Sequence, residues 1–394
     1  MILSAVFYCS LPIIIFLADI LGTKFIKNEK VRKYVLIAFY ILFITFIVGC
    51  RAGYVGNDTP GYKAFYETRV PQTFGEVFTK SDSHGFEKGY VLLMFIFSKM
   101  HAPFLVFNIF VSLAFTIPMV LLTFRLSKVP SLSIVAYICF GLFTFNMSAI
   151  RQSIAIGLCL LGVYLLVLLS KKKWYWQVLT VIPVVIAYFF HKSAPMFLVF
   201  YVFIFISFNK KISAAYLLLV TILLVLFIPS FETIASSSFM KNGLSYSFAP
   251  PIESFKTGGT VFMLLAFMVI YIVSNTFNVE KLDLSLSGNK FFNKLNYFGV
   301  SHQEVEYEDK YAVALLLIFL FSYVLDLSFH LFARVGLYGA TGFAILLPNV
   351  LLKFSKVKKL NPVIYLGVTA LAILYFVFTT LRSNYLTLMP YGVF

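Results

Sequence analysis

The chain has 394 residues, of which 60% are hydrophobic and 12% are charged, and its formal net charge is +16. With a mean hydropathy of +0.91, a water-soluble domain could not bury this much apolar surface, so the composition indicates an all-α, polytopic membrane protein. The basic residues fall in short clusters between apolar runs, which argues against nucleic acid as a partner and makes them signals of membrane topology.

The first apolar run, residues 2 to 21, is long enough to cross about 30 Å of hydrocarbon as a helix. It has no positively charged start and no cleavage pattern, so we interpret it as a membrane span rather than a signal peptide. The following loop, residues 22 to 33, is rich in lysine and arginine, which predicts that it lies in the cytoplasm and that the N-terminus lies outside.

The second span is predicted at residues 34 to 50, and the segment 51 to 102 is predicted as the first long outer loop. Residues 89 to 100 in that loop are apolar but too short to cross, so they predict an interfacial or re-entrant helix. Charge-guided threading of residues 1–394 as a single membrane domain then gives about twelve spans, within a range of roughly 11 to 13, with both ends outside. The later spans are predicted near residues 103–124, 131–147, 149–170, 175–190, 194–208, 213–230, 259–277, 311–329, 333–352 and 362–380.

Two more loops are long enough to have content of their own, an outer loop at residues 231–258 and a cytoplasmic loop at residues 278–310. The acidic residues of the inner loop are interpreted as solvated side chains, so no metal site is predicted. Nucleotide-binding and zinc-hydrolase motifs are absent from the sequence, and no cofactor is expected. The C-terminal stretch with Arg382, Tyr385 and Pro390-Tyr391 either folds back over the outer face or forms a plain tail.

Ionisable residues gather on the predicted outer side. The segment 51 to 66 holds an arginine, three glycines, an aspartate and three tyrosines where a chain leaving the bilayer needs only a short linker. The threading puts four further residues on the same side, namely Glu87, Arg151, His191 and Arg334. Their shared side indicates a functional site on the outer face.

Each of these residues also has a plain structural interpretation. Arg151 either anchors a helix end by snorkelling or binds an anion through its planar fork of donors, with Gln152 adding a neutral donor. His191 is either a helix-end residue or a phosphate donor and proton carrier. Glu87 is either a favourable charge at a helix N-terminus or a site residue. Asp326, His330 and Arg334 share a helical face if their helix continues, and they either pair for structure or contribute to the site.

These residues, in this order, resemble the EpsG family of multi-pass membrane proteins, which is associated with Wzy-type polymerisation of bacterial O-antigen, capsule and exopolysaccharide. The resemblance rests on Arg51 with Gly56-x-Asp58-x-x-x-Tyr62, Glu87-x-Gly89-Tyr90, Ile150-Arg151-Gln152-x-Ile-Ala155, His191-x-Ser193, and Arg334 with Tyr338. It implies a protein of the bacterial inner membrane whose active site faces the periplasm, with a fold similar to the GT-C-like glycosyltransferases that use lipid-linked donors.

The resemblance implies that a growing glycan is transferred from undecaprenyl pyrophosphate to the non-reducing-end sugar of a lipid-linked repeat unit. Besides this lipid-linked oligosaccharide and the bilayer, a flippase and a chain-length regulator are expected partners. The implied pyrophosphate-binding residues are Arg51, Arg151, Arg334 and Gln152. The implied catalytic residues are Asp58 as general base, Glu87 as the second candidate base and His191 in support. The implied substrate-binding residues are Tyr62, Tyr90 and Tyr338, and for Tyr62 and Tyr90 anchoring at the membrane interface is the alternative to stacking on sugars.

Two other enzyme or transporter classes stay open, a flippase for lipid-linked oligosaccharides and a polysaccharide O-acyltransferase. A flippase predicts charges near the bilayer midplane and internal repeat symmetry. An acyltransferase predicts a histidine that approaches the inner side. The predicted position of the ionisable residues on one outer face favours a polymerase over both, and a purely structural assembly protein is the remaining alternative.

Overall fold

The structure, a computed structural model, describes residues 2–206, 261, 263–272, 274, 309–326, 331–353, 362–381 and 388–393. Within these residues every regular element is helical, apart from one isolated antiparallel bridge between Arg51 and Val393. The all-α prediction is therefore confirmed for the part of the chain described. The described residues divide into two compact units, one formed by those through Pro195 and from Pro362 onward, and the other by those from Met196 to Lys353.

The helices are α1 (Ile2–Phe25), α2 (Glu29–Gly49), α3 (Thr59–Thr68), α4 (Phe74–His84), α5 (Lys88–Lys99), α6 (Phe104–Leu126), α7 (Pro130–Cys139), α8 (Leu142–Ser148), α9 (Ile150–Leu169), α10 (Trp174–Val178), α11 (Ile182–Tyr188), α12 (Val199–Ile206), α13 (Met263–Ile272), α14 (Lys310–Asp326), α15 (Leu331–Gly336), α16 (Ala340–Lys353) and α17 (Pro362–Phe376). A 3-10 turn joins α10 to α11, a second one precedes α12, and a π-helical turn follows α17. The predicted short helix of the first long loop corresponds to α5.

Four helices, α1, α2, α6 and α9, are long and apolar enough to cross a membrane. Helices α7 and α8 form a fifth candidate span that is bent by 56°. The bend contains Gly141, whose φ of 94° lies in the left-handed region that favours glycine. The protein is therefore a membrane-embedded helical protein. The described helices after α9 hold 17 residues or fewer, and the total of about twelve spans stays a prediction.

Helix α6 lies at the centre of the first unit, between α2 and α9. Both contacts depend on glycine. A Cβ on Gly49 would lie 2.9 Å from the Cα of Ile109, and a Cβ on Gly157 would lie 2.3 Å from the carbonyl oxygen of Ala114. Small residues at such positions let helix backbones approach closely, which is how helices pack in a membrane without a hydrophobic driving force between them.

One end of this unit carries the segment 51–102, and we call it the loop end. At this end Asn108 near the start of α6 donates a hydrogen bond to the carbonyl of Gly49 at the end of α2, with an N–O distance of 2.7 Å. The backbone amide of Asn57 donates to Ser148 Oγ, just before α9, at 3.0 Å. The loop end therefore combines the end of α2 with the starts of α6 and α9, as the charge-guided threading predicts.

The C-terminal residues 388–393 also fold back onto the loop end. The ring of Tyr391 stacks on Phe7 with 4.4 Å between centroids, and its backbone amide donates to Ser4 Oγ at 3.0 Å. Its hydroxyl donates to the Ile47 carbonyl at 2.9 Å. For Pro390-Tyr391, the alternative in which the tail folds back is the one observed. Arg382 and Tyr385 lie outside the described residues.

The second unit is centred on α14, which packs against α15 and α16. The predicted span 333–352 is wrong as one continuous helix, because the chain turns between α15 and α16. A Cβ on Gly339 would lie 2.2 Å from the carbonyl oxygen of Leu315, so the turn presses its backbone directly against α14. The predicted span 213–230, the loop 231–258, His330, and residues 278–308 of the predicted cytoplasmic loop lie outside the described residues.

Candidate anion-binding site

Arg151, the second residue of α9, is the centre of the polar contacts at the loop end. Its Nη1 donates to Glu87 Oε2 at 2.5 Å and to the Gly85 carbonyl at 3.3 Å, and its Nε donates to the Tyr62 hydroxyl at 3.1 Å. The guanidinium carbon lies 4.9 Å from the ring centroid of Phe86. Nη2 donates no hydrogen bond within the part of the chain described, and the side chain is 22% exposed. Two N–H groups of a held guanidinium are thus available to an anion.

Glu87 connects Arg151 to the turn after α11. Its Oε2 pairs with Arg151, while its Oε1 accepts a hydrogen bond from the backbone amide of Lys192 at 3.4 Å. The same two segments also meet through the amide of Gly89, which donates to the Phe189 carbonyl at 2.9 Å. A Cβ on Gly89 would lie 2.6 Å from that carbonyl oxygen, so glycine is required for this approach. Both carboxylate oxygens of Glu87 therefore accept hydrogen bonds.

Aromatic side chains pack beneath the ion pair. Tyr62 and Tyr90 are 4% and 0% exposed, and their ring centroids lie 5.4 Å apart. Phe86 touches both rings edge-on or tilted, and Phe107 closes the cluster from α6. Burial raises the pKa of the Tyr62 hydroxyl, with Arg151 opposing the shift, and burial raises the pKa of Tyr90 well above its usual range. Both hydroxyls are therefore neutral near pH 7.

Arg51, at the same end, is in a different environment. It is 1% exposed, and its donors reach five acceptors in the surrounding structure. These acceptors are the carbonyls of Val48, Val55 and Met147, Asn108 Oδ1 and Thr59 Oγ1. A guanidinium has five N–H groups, so none is left for a ligand. Burial lowers the pKa of Arg51 to about 10, which still leaves it charged near pH 7. The arrangement assigns Arg51 to holding the fold.

Asp58 lies at the N-cap of α3 and is exposed. Its carboxylate makes no hydrogen bond or ion pair in the described part of the chain, and it makes no capping bond to α3. Its carbonyl accepts a hydrogen bond from the backbone amide of Tyr62 at 3.1 Å, which places Asp58 one helical turn before the aromatic cluster. Of the two acidic residues at the loop end that the sequence singles out, Asp58 is thus the one whose oxygens face solvent.

His191 and Gln152 flank the Arg151 site in different ways. His191 follows α11, and its Nδ1 lies 2.7 Å from Ser193 Oγ. The next residue, Lys192, donates its backbone amide to Glu87, so the turn that carries His191 touches the ion pair. Gln152 is 1% exposed within the packing of α9. Adjacent helix positions point about 100° apart, so Gln152 faces the interior rather than the exposed side of Arg151.

Arg334 and Tyr338 belong to the second unit and are described there alone. Arg334 is exposed and lies in α15, whereas Tyr338 is fully buried after it. The ring centroid of Tyr338 lies 6.0 Å from that of Phe197. The structure thus gives Tyr338 a packing role within its unit, and it leaves Arg334 accessible. Asp326 at the end of α14 is buried.

Sequence reasoning passed over two residues. The backbone amide of Lys192 donates to Glu87. The sequence signal for Lys192 was its position between His191 and Ser193 in the quoted motif. Asp19 is 2% exposed in α1 and accepts a hydrogen bond from Ser131 Oγ at 2.6 Å, away from the loop end. A lone aspartate in an apolar run is itself a signal, because a carboxylate there costs about 2.5 to 3.5 kcal/mol unless it is paired.

Among the described residues, no group of three or more His, Cys, Asp and Glu side chains is placed to hold a metal ion. What the loop end holds is an arginine that is ion-paired, stacked on an aromatic ring and partly exposed. Fold and site together define a helical membrane protein with a candidate anion-binding site at the loop end.

Comparison with known protein families matches residues 34–393 to the EpsG family. The match covers nearly the whole chain, and the chain belongs to the EpsG family. No curated protein and no solved structure matches the chain significantly. Membership confirms the resemblance seen in the sequence motifs, and it places the chain among membrane proteins of polysaccharide biosynthesis.

Proposed function

We propose that the protein is a polysaccharide polymerase of the bacterial inner membrane that works on the periplasmic face. It transfers a growing glycan from undecaprenyl pyrophosphate to the non-reducing-end sugar of a lipid-linked repeat unit. Membership in the EpsG family supports the class of reaction. The observation that carries the proposal is Arg151, whose Nη2 makes no hydrogen bond in the described part of the chain while Glu87, Tyr62 and Phe86 hold the rest of the partly exposed guanidinium.

In the proposed reaction a hydroxyl oxygen of the acceptor sugar attacks the anomeric carbon of the donor glycan. The new glycosidic bond forms as the bond from that carbon to the pyrophosphate oxygen breaks. The electron pair leaves with undecaprenyl pyrophosphate, where negative charge develops. A guanidinium already fixed in place stabilises this charge without reorganising, and such stabilisation is commonly the largest single contribution to catalysis.

The proton of the attacking hydroxyl needs a general base, and we assign this role to Asp58. Its carboxylate is exposed at the loop end and makes no bond that would compete with a substrate in the described part of the chain. Glu87, the second candidate base, instead positions Arg151, because both of its oxygens are engaged. His191 supports the leaving phosphate as a neutral or charged donor.

The remaining predicted residues receive reduced roles in this proposal. Arg51 holds the loop end together rather than binding pyrophosphate, because its five donors are used. Gln152 is buried, and in this proposal it makes no direct contact with pyrophosphate. Tyr62 and Tyr90 form the buried floor of the site, whereas the predicted role of Arg334 in binding pyrophosphate stays a prediction.

The experiment compares a deletion strain complemented with wild type, Arg151→Ala, Asp58→Ala or the control Arg69→Ala, with membrane levels matched by immunoblot. Arg69 is an exposed arginine after α3 with no side-chain hydrogen bond or ion pair in the described part of the chain. We expect wild type and Arg69→Ala to restore a polysaccharide ladder. Arg151→Ala and Asp58→Ala should leave only a single repeat unit.

Other outcomes identify the alternative functions. Loss of even the single repeat unit in the deletion strain would indicate a flippase, which acts before polymerisation. An intact ladder with changed acetyl content would indicate an O-acyltransferase. A ladder that survives Arg151→Ala at normal protein level would remove the observation on which the proposed polymerase site rests.

A further inference from the structure

The charge balance of the Arg151 site is incomplete for a pyrophosphate ligand. A pyrophosphate that links a lipid to a sugar carries two negative charges at neutral pH. The positive charge of Arg151 is already compensated by Glu87 at 2.5 Å, so the pair as a whole is neutral. Moving a dianion out of water next to a neutral pair is costly, because buried or partly buried charges need compensation. A second cation is therefore required.

Most lysines of the loop end are engaged elsewhere. Lys63 pairs with Glu67 at 3.8 Å, and Lys80 pairs with Glu76 at 3.1 Å. The ammonium of Lys88 lies 5.5 Å over the ring of Phe78, on α4. Each of these contacts directs its lysine along the surface helices rather than toward Arg151.

Lys192 differs from these lysines in position and in partners. Its backbone amide lies 3.4 Å from Glu87 Oε1, the oxygen opposite the one that pairs with Arg151. Its side chain is exposed, and in the part of the chain described its ammonium makes no ion pair. A lysine has a flexible four-carbon stem with three donors at its tip. From this anchor the ammonium can meet an anion held by Arg151.

We infer that Lys192 is a pyrophosphate-binding residue, which supplies the positive charge that Glu87 cancels at Arg151. This inference rests on the proposed function, since it names the second cation of the same site. Arg151 orients the pyrophosphate through its planar fork, and Lys192 contributes a mobile point charge. Glu87 then has two tasks, as it pairs with one cation and anchors the backbone of the other.

The same chemistry would also attract the phosphate of a phospholipid headgroup, so the test separates a diphosphate from a monophosphate. The full-length protein is purified in an uncharged detergent, and binding of inorganic pyrophosphate and of inorganic phosphate is measured by calorimetric titration. The variants are Lys192→Ala, Lys192→Arg, Arg151→Ala and the control Lys99→Ala. Lys99 is the last residue of α5, and its ammonium lies 5.7 Å over the ring of Phe95.

We expect Lys192→Ala to weaken pyrophosphate binding about tenfold and phosphate binding much less, because the second charge meets the second phosphoryl group. Lys192→Arg should bind pyrophosphate like wild type, and so should Lys99→Ala. All variants should elute as the same monodisperse species in size-exclusion chromatography.

Unchanged pyrophosphate binding in Lys192→Ala would overturn the inference, and so would an equal loss for phosphate and pyrophosphate, which fits a general headgroup contact. Wild type that binds no pyrophosphate would also overturn it. The proposed function fails separately, when Arg151→Ala leaves both pyrophosphate binding and the polysaccharide ladder intact.

Discussion

Arg51 and Arg151 lie at the same end of the same unit, yet their surroundings give them opposite roles. Arg51 is 1% exposed and donates to five uncharged acceptors. The Arg151 side chain is 22% exposed, pairs with a carboxylate and keeps its Nη2 donors free of hydrogen bonds within the described residues. From the number of donors already used, rather than from place in a motif, we infer a structural role for Arg51 and a ligand-binding role for Arg151.

The charge of Arg51 is balanced without a carboxylate. Two of its acceptors, the carbonyls of Val48 and Met147, belong to the last turns of α2 and α8. Carbonyls at helix C-termini carry partial negative charge and stabilise nearby cations. Arg51 thus joins two helix ends that are distant in sequence, and the bridge from its backbone to Val393 adds the C-terminal tail.

The largest effect is expected for Arg51→Ala, which would remove five buried hydrogen bonds. We expect the free energy of unfolding to fall by about 3 kcal/mol or more, and the amount of protein in the membrane to fall severalfold. Immunoblots of membranes and thermal melting of the detergent-solubilised protein measure this, with Arg69→Ala as the control. If Arg51→Ala accumulated and melted like wild type but made no ladder, Arg51 would be a ligand residue after all.

Arg151→Lys tests the other side of the comparison. Lysine keeps the charge but lacks the planar fork, so the contacts to Tyr62 and Glu87 and the outward donors cannot be made at once. We expect glycan transfer to fall about 10- to 100-fold at a near-normal protein level. Transfer is measured with lipid-linked substrate and purified protein. Equal activity of the two proteins would show that charge alone suffices at this position.

Glu87→Gln tests whether Glu87 positions Arg151 rather than acting as the general base. Glutamine keeps a carbonyl oxygen but loses the charge, so the positive charge of Arg151 is no longer compensated. We expect the protein to be destabilised by about 1 to 3 kcal/mol, while inorganic pyrophosphate binds more tightly because the site becomes more positive.

Thermal melting and calorimetric titration of Glu87→Gln measure these two effects, and Glu67→Gln on the surface of α3 is a suitable control. Complete loss of transfer in Glu87→Gln with tight pyrophosphate binding would return Glu87 to the role of general base. The double variant that combines Glu87→Gln with Asp58→Asn is not expected to regain transfer.

The smallest effect is expected for Tyr391→Phe, which removes the hydrogen bond to Ile47 but keeps the stacking on Phe7. The free energy of unfolding should fall by about 0.5 to 1.5 kcal/mol near neutral pH. Burial raises the pKa of Tyr391 to about 12 from 10.0, so folding favours the neutral hydroxyl. Its contribution is complete below pH 10.0 and is lost as the pH rises through about 12.

Melting temperatures of wild type and Tyr391→Phe between pH 8 and the alkaline limit of the detergent-solubilised protein test this dependence. The difference between the two proteins should shrink as the hydroxyl ionises. A difference that grows with pH would mean that the tail does not bury Tyr391 as described.

The helices and the loop end were predictable because their signals are local. Apolar runs of span length predict α1, α2, α6 and α9, and short clusters of lysine predict which ends lie together. The short α5 was predicted by its length. The bend between α7 and α8, and the break between α15 and α16, were missed because a glycine in an apolar run does not by itself show whether the helix continues.

The residue order alone predicted the class of this protein, the grouping of the end of α2 with the starts of α6 and α9, and the set of polar residues at the loop end. Only the tertiary structure decided which of those residues hold the fold and which can meet a ligand. The reason is that hydrogen-bond partners come from distant positions, 57 and 96 residues away for Arg51 and 64 for Arg151. Whether a donor is used or free depends on these contacts, and no local pattern encodes them.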